Sequence, residues 1–151
     1  MKTLRLLFFS SVVFCAGLLL TLSAFAADDA AERKKLEGTW QGFVVDGAGQ
    51  NPKQGRVRIT EMVITADKIT SKGGQGESLG VGTFKLGVSG DLKTIDGIGT
   101  GGPAANKTYL GIYSVDGDTL KWCTSNPGKA RPDQFKTVPP SQAYLILTRK
   151  K

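Results

Sequence analysis

The chain has 151 residues, with 20 Lys and Arg against 13 Asp and Glu, and it contains no histidine. That length suits one domain behind a targeting segment. Without histidine there is no Ser-His-Asp or Cys-His site, no His-ligated zinc and no imidazole base.

Lys2 and Arg5 open a segment that continues as an apolar run from Leu6 to Leu22 and ends in Ala24-Phe25-Ala26. Basic flank, apolar run and small-residue site are the three parts of a secretory signal, so residues 1–26 read as a signal peptide cleaved after Ala26. An uncleaved anchor is the competing reading, since the run approaches the ~18 residues of a spanning helix. A lipoprotein reading is poor, because Phe14 rather than a small residue precedes Cys15. The expected location is extracytoplasmic, periplasmic or secreted, with the membrane involved only through the signal.

Loss of that segment changes the composition. Lys2 and Arg5 leave with it, so the net charge falls from +7 to +5. The apolar share drops from 40% to about a third, below the usual ~45–50%. The remaining basic residues are interleaved with acids and form no stripe with aromatics, which argues against nucleic-acid binding. Cys15 leaves as well, and Cys123 then has no intrachain partner. A single Cys in an apolar strand reads as a small buried hydrophobe.

Residues 27–37 form the one helical stretch, with Asp28 or Asp29 as cap and Gly38 as stop. From 38 to 151 the chain reads as short strands punctuated by glycine, at roughly twice the usual ~7%, a density that long helices do not tolerate. Eight strands are expected: Thr39 to Val45, Arg56 to Thr65, Ile69 to Lys72, Leu79 to Val88, Lys93 to Ile98, Lys107 to Val115, Thr119 to Thr124 and Gln142 to Arg149. Asp116-Gly117-Asp118 joins the sixth and seventh as a strong hairpin signal. Gly73-Gly74-Gln75-Gly76 is a flexible tip, and Ser125 to Ser141, with four prolines, is a long loop. Evenly spaced strands with hairpin-length turns predict an all-β antiparallel architecture, and closing it into an up-and-down barrel removes exposed edges.

Gly38-Thr39-Trp40 at the start of the first strand is similar to the Gly-x-Trp element of lipocalin-type barrels. There the tryptophan plugs the closed end and a basic residue of the last strand lies across its ring. Arg149 is the positional match, and such a cation–indole contact contributes ~0.5–2 kcal/mol. The wider series is Leu36-x-Gly38-Thr39-Trp40, Ile64-Thr65-Ala66-Asp67-Lys68, Gly82-Thr83-Phe84, Ile95-Asp96, Gly111-Ile112-Tyr113, Asp116-Gly117-Asp118-Thr119-Leu120-Lys121, Cys123 and Arg131-Pro132-x-x-Phe135. Over residues 36 to 150 it resembles a family of uncharacterised lipocalin-like domains abundant in planctomycete genomes and often exported as single domains. The block from Gly111 to Phe135 is its most specific part. The resemblance implies fold and export and carries no activity.

The remaining candidates have structural readings beside functional ones. Asp116-Gly117-Asp118 offers part of a calcium loop, but no further acid follows at suitable spacing, and the turn reading is preferred. Arg131 suits an anion; the competing reading has it bonding backbone carbonyls to anchor the long loop while Phe135 closes one barrel end. Gly73 to Gly76 lacks the Lys-Ser or Lys-Thr of a phosphate loop. Glu61 and Glu77 are the carboxylates a glycosidase-type site would use, and sequence does not pair them. No catalytic residue, metal ligand or cofactor is assigned, and an enzyme is not expected.

Two functions follow. In the first, an exported non-catalytic barrel holds an apolar or amphipathic small molecule in its mouth, with Phe84, Leu86, Tyr113, Val115, Trp122 and Tyr144 as lining by alternation and Gly38, Trp40, Arg131, Phe135 and Arg149 as structural elements. In the second, a solid-core domain recognises a protein or cell-envelope component through loops 73–76 and 99–106. Eight strands enclose an interior that side chains can fill completely, so the presence of a cavity divides the two.

Overall fold

The computed structural model of the chain describes residues 28–151, so the expected signal segment, its expected cleavage after Ala26 and Cys15 lie outside the described residues. A helix over 28–36, α1, leads into eight strands: β1 (Gly38–Val45), β2 (Val57–Ile64), β3 (Lys68–Gly73), β4 (Ser78–Ser89), β5 (Leu92–Gly99), β6 (Thr108–Asp116), β7 (Thr119–Ser125) and β8 (Gln142–Arg149). Each strand pairs antiparallel with the next, and β8 pairs back onto β1 from Trp40 opposite Arg149 to Val45 opposite Tyr144. The result is a closed barrel in strand order. Closure leaves no strand edge unpaired, which suits a chain with few apolar residues to spare.

One departure from strict alternation is built into β2. Ile59 and Met62 are three residues apart, yet both are buried in the same cluster. The register slips between Trp40–Met62 and Gly42–Ile59, a bulge that turns Thr60 and Glu61 out of phase. Thr60 Oγ1 donates to the Gly73 carbonyl at 2.6 Å, and Glu61 faces outward to Lys72 at 2.8 Å.

Inward residues form one continuous core that includes Trp40, Ile64, Phe84, Ile95, Trp122 and Leu147. One end of it is closed by α1. Leu36 and Trp40 are fully buried there, and Trp40 Nε1 donates to the Leu36 carbonyl at 2.8 Å. Arg33 lies 5.0 Å from the Phe84 ring centroid and donates to the Ala66 carbonyl at 2.9 Å. Glu32 accepts from the Tyr113 hydroxyl at 3.2 Å and from Lys93 and Lys35 at 2.8 and 2.5 Å. The helix is thus hydrogen-bonded to β1, β5 and β6, to Arg149 of β8 and to the β2–β3 turn.

A second cluster, Val45, Ile112, Cys123 and Tyr144 with Phe43, Phe135 and Ile146 against it, occupies the outer face. It corrects two expectations. Phe135 does not close a barrel end; its ring lies 5.7 Å from that of Tyr144 on the outside of the wall. Tyr144 does not line the interior, since it pairs with Cys123 while Leu145 pairs with the inward Trp122. Tyr144-Leu145-Ile146-Leu147 is apolar at every position, so its phase cannot be read from hydropathy. Both faces are buried because the loop over 126–141 covers the outer one. Thr137 fastens that loop, donating to the Val45 carbonyl at 2.6 Å and accepting from the Tyr144 amide at 2.9 Å.

Candidate functional site

Glycine at inward positions decides where the interior is hollow. Paired residues of antiparallel strands share a face, and Ile69 opposite Gly82, Phe84 opposite Gly97 and Gly82 opposite Gly99 place these glycines inside. Gly80, opposite Ser71, joins them. A Cβ at Gly97 would meet nothing nearer than Trp122 Cζ2 at 3.9 Å, and one at Gly80 nothing nearer than Ser71 Oγ at 3.7 Å. These two glycines therefore border open space.

That space is a cavity of about 220 Å³ at the barrel end away from Trp40. Met62, Ile69, Leu79, Tyr109, Trp122 and Thr124 line it together with the glycines, and Ala104 of the 3-10 turn Gly102–Ala104 borders its rim. Among the described residues, no Asp, Glu, Lys or Arg contributes to the lining. Among the described residues two side-chain polar atoms, Trp122 Nε1 and Thr124 Oγ1, are buried without a hydrogen-bond partner. Both belong to residues that line this cavity, two positions apart on the inward face of β7.

Of the residues expected to line a binding space, Phe84, Leu86, Tyr113, Val115 and Trp122 belong to the interior core or pack against it. Only Trp122 reaches the cavity. Leu86 and Tyr113 instead border a surface cleft beside α1 at the opposite end. Burial, and after it the charge of Glu32, push the Tyr113 phenol well above its ordinary range. Burial would raise the Glu32 carboxyl too, but the hydrogen bonds and charges of Lys35 and Lys93 prevail and bring it down to about 2. This constellation is an ion-paired latch on the helix.

No protein-family model, curated protein or solved structure matches the chain. The reading of the site therefore rests on its own geometry.

The structural elements are placed as follows. Gly38 takes φ +130° at the start of β1, in a region that favours glycine. Arg149 lies over Trp40. Arg131 donates to both carboxylate oxygens of Asp96 and, at 2.7 Å, to the Gly111 carbonyl. It thereby ties the loop over 126–141 to β5 and β6 and leaves little of its fork for an outside anion. Glu61 pairs with Lys72, while Glu77 accepts from the Gln75 amide at 2.8 Å within its own turn, so the two carboxylates share no cleft. Asp116 to Asp118 make the β6–β7 turn, with Gly117 at φ +53°. No cluster of three metal-ligating side chains occurs among the described residues, and no helix among them is long and apolar enough to cross a membrane.

The sequence reading missed the second concavity altogether. A groove of about 600 Å³ runs along the outer face, between β1, β7 and β8 and the β1–β2 loop. Phe43, Tyr144 and Ile146 are among its apolar lining, and Lys53, Arg58 and Lys121 supply its charge. None of these three cations forms an ion pair among the described residues. The available signal was Phe43 and Ile146 at positions that alternation leaves outward-facing.

Proposed function

We propose that this is an exported, non-catalytic binding protein of lipocalin-like architecture, which holds a small apolar or amphipathic molecule in the mouth of its barrel. The observation that carries this reading is the uncharged, glycine-walled cavity at the end of the barrel opposite the Trp40 plug. A filled interior would have needed only ordinary side chains at Gly80 and Gly97. Their absence leaves a concave apolar space with few polar atoms, the usual character of a small-molecule site. Export rests on the Lys2-to-Ala26 segment. Catalysis has no support: among the described residues the cavity is bordered by the hydroxyls of Ser71, Thr83, Tyr109 and Thr124, with no carboxylate, amine or thiol beside them to activate one.

Native mass spectrometry of the protein isolated under mild conditions from the cells that make it tests the reading. A retained small molecule, lost on Gly97→Val, is the expected result. Protein free of any ligand, whose melting temperature no small apolar compound raises, would count against it.

A second reading is favoured by one observation, the outer groove in which three unpaired cations flank an aromatic wall. There an anionic cell-envelope component would bind, through the β1–β2 loop rather than loops 73–76 and 99–106. Envelope material captured by the protein and released by Arg58→Glu with Lys121→Glu, but not by Gly97→Val, would favour this second reading.

A further inference from the structure

The geometry points to the chemical class of the molecule in the barrel mouth: an uncharged, compact, mainly apolar compound bearing one hydrogen-bond-accepting oxygen, a carbonyl or hydroxyl, that bonds Trp122 Nε1 and Thr124 Oγ1. This rests on reading the cavity as a binding site.

The two tryptophans of the chain set up the contrast. Trp40 Nε1 is satisfied by the Leu36 carbonyl. Trp122 is 8% exposed and its Nε1 has no partner. Buried N–H groups are nearly always bonded, and an orphan asks for an explanation. Thr124 presents a second unpaired atom from the same face of the same strand. An indole N–H only donates, whereas a hydroxyl both donates and accepts. A single oxygen acceptor placed against β7 satisfies both atoms.

The indole has room to meet it. Its Nε1 lies over Gly111, where a Cβ would come within 2.8 Å, and its Cζ2 lies over Gly97. With no side chain on either glycine, a small swing of the ring toward the cavity carries Nε1 with it.

Charge and size narrow the class further. A carboxylate or phosphate in this lining would be desolvated with no cation beside it, which is strongly unfavourable. The volume of about 220 Å³ equals the share of about seven waters at ~30 Å³ each. That suits a ring or short branched chain, with any longer tail leaving through the rim at Ala104. Ordered water bridging Nε1 and Oγ1 is the competing occupant.

Cyclohexanone and methylenecyclohexane separate these possibilities, being nearly equal in shape and differing in the acceptor. The full chain, labelled with 15N, gives two indole N–H resonances, with that of Trp40 as internal control. Cyclohexanone is expected to move the Trp122 resonance downfield and to bind about three- to tenfold more tightly than methylenecyclohexane, the gain of one net hydrogen bond. Trp122→Phe and Thr124→Val should each shrink that preference without weakening methylenecyclohexane, and Gly97→Val should block both probes. Equal binding of the two probes, blocked by Gly97→Val with the Trp122 resonance unmoved, overturns the acceptor inference and leaves the binding function standing. Binding of neither probe overturns both.

Discussion

The guanidinium carbon of Arg149 lies 4.2 Å from the centroid of the Trp40 ring. The same side chain donates to the Glu37 carbonyl at 2.6 Å and to the Lys35 carbonyl at 3.0 Å. One residue of the last strand therefore holds the first strand's tryptophan and the exposed carbonyl end of α1 together. Trp40 and Arg149 are directly opposed across the β1–β8 pairing that closes the barrel, so the plug and the seam are a single feature.

Arg149→Met keeps the apolar stem over the indole and removes both carbonyl bonds and the cation. It should destabilise by about 1–3 kcal/mol, the sum of a cation–π contact and two hydrogen bonds to exposed helix-end carbonyls. Arg149→Lys should recover only part of this, since an ammonium lacks the fork that spans two carbonyls. Urea unfolding, followed through tryptophan fluorescence, measures the difference. Equal stability of the Met and Lys variants would show that packing alone holds the plug.

Two glycines of the interior should respond in opposite ways to the same methyl group. A Cβ at Gly111 would lie 2.8 Å from the Ile95 carbonyl oxygen and 2.9 Å from that of Cys123, both backbone atoms that cannot yield. Gly111→Ala should therefore destabilise by about 2 kcal/mol or more. Gly97→Ala meets only ordinary contacts at 3.9 and 4.0 Å and should be neutral or stabilising by up to about 1 kcal/mol, because alanine restricts the unfolded chain. Thermal melts of the pair decide the matter, and a large loss in Gly97→Ala would contradict the open space assigned beside it.

Glu32 makes the helix latch sensitive to acid. Its side chain is 13% exposed and its carboxyl is held down to about 2 against an ordinary 4.5. The unfolded chain takes up the proton first, so the contribution is complete above pH 4.5 and is lost as pH falls toward 2. Its size is on the order of 2 kcal/mol. Glu32→Gln should flatten the loss of stability across that window and lower stability at pH 7. An unchanged slope in acid denaturation would place the pH dependence elsewhere.

Asp96 and Arg131 hold the proline-rich loop against the outer wall through a pair about one-quarter exposed on each side. Asp96→Ala leaves a partly buried guanidinium with one carbonyl partner and should destabilise by about 1–2 kcal/mol. The loss is local: amide exchange should quicken in residues 126–141 more than in β1 or β8. A double-mutant cycle with Arg131→Ala gives the coupling directly. Uniform acceleration over the whole barrel would mean that the loop is integral to the fold rather than a cover on it.

Much of the architecture was readable from the chain because each hairpin is specified locally. Asp116-Gly117-Asp118 and Gly90-Asp91 demand turns whose backbone only a few residues adopt, and period-two alternation in Tyr113-Ser114-Val115 and Leu120-Lys121-Trp122 marks strands and faces together. The eight strands follow, to within about a residue at most ends, and so does antiparallel order. The Trp40–Arg149 contact was legible for a related reason: first and last strands must meet if a barrel closes, and the two residues sit at matching ends of them.

Phase failed where hydropathy carries no alternation. Tyr144 to Leu147 is apolar throughout, and its outward side is covered only because Phe135 and Thr137 fold back over it from the loop that leads into the strand, a tertiary contact that hydropathy does not report. The bulge at Thr60 and Glu61 is of the same kind, since it exists to reconcile β2 with a neighbour. The cavity lies furthest from local information. Composition shows a glycine-rich chain, but glycines in turns and glycines facing inward look alike in a sequence. Closing the sheet brought Gly80 and Gly97 to the same space as Trp122 and Tyr109, and only that convergence of separate strands made missing side chains into a cavity whose lining includes two residues with unpaired polar atoms.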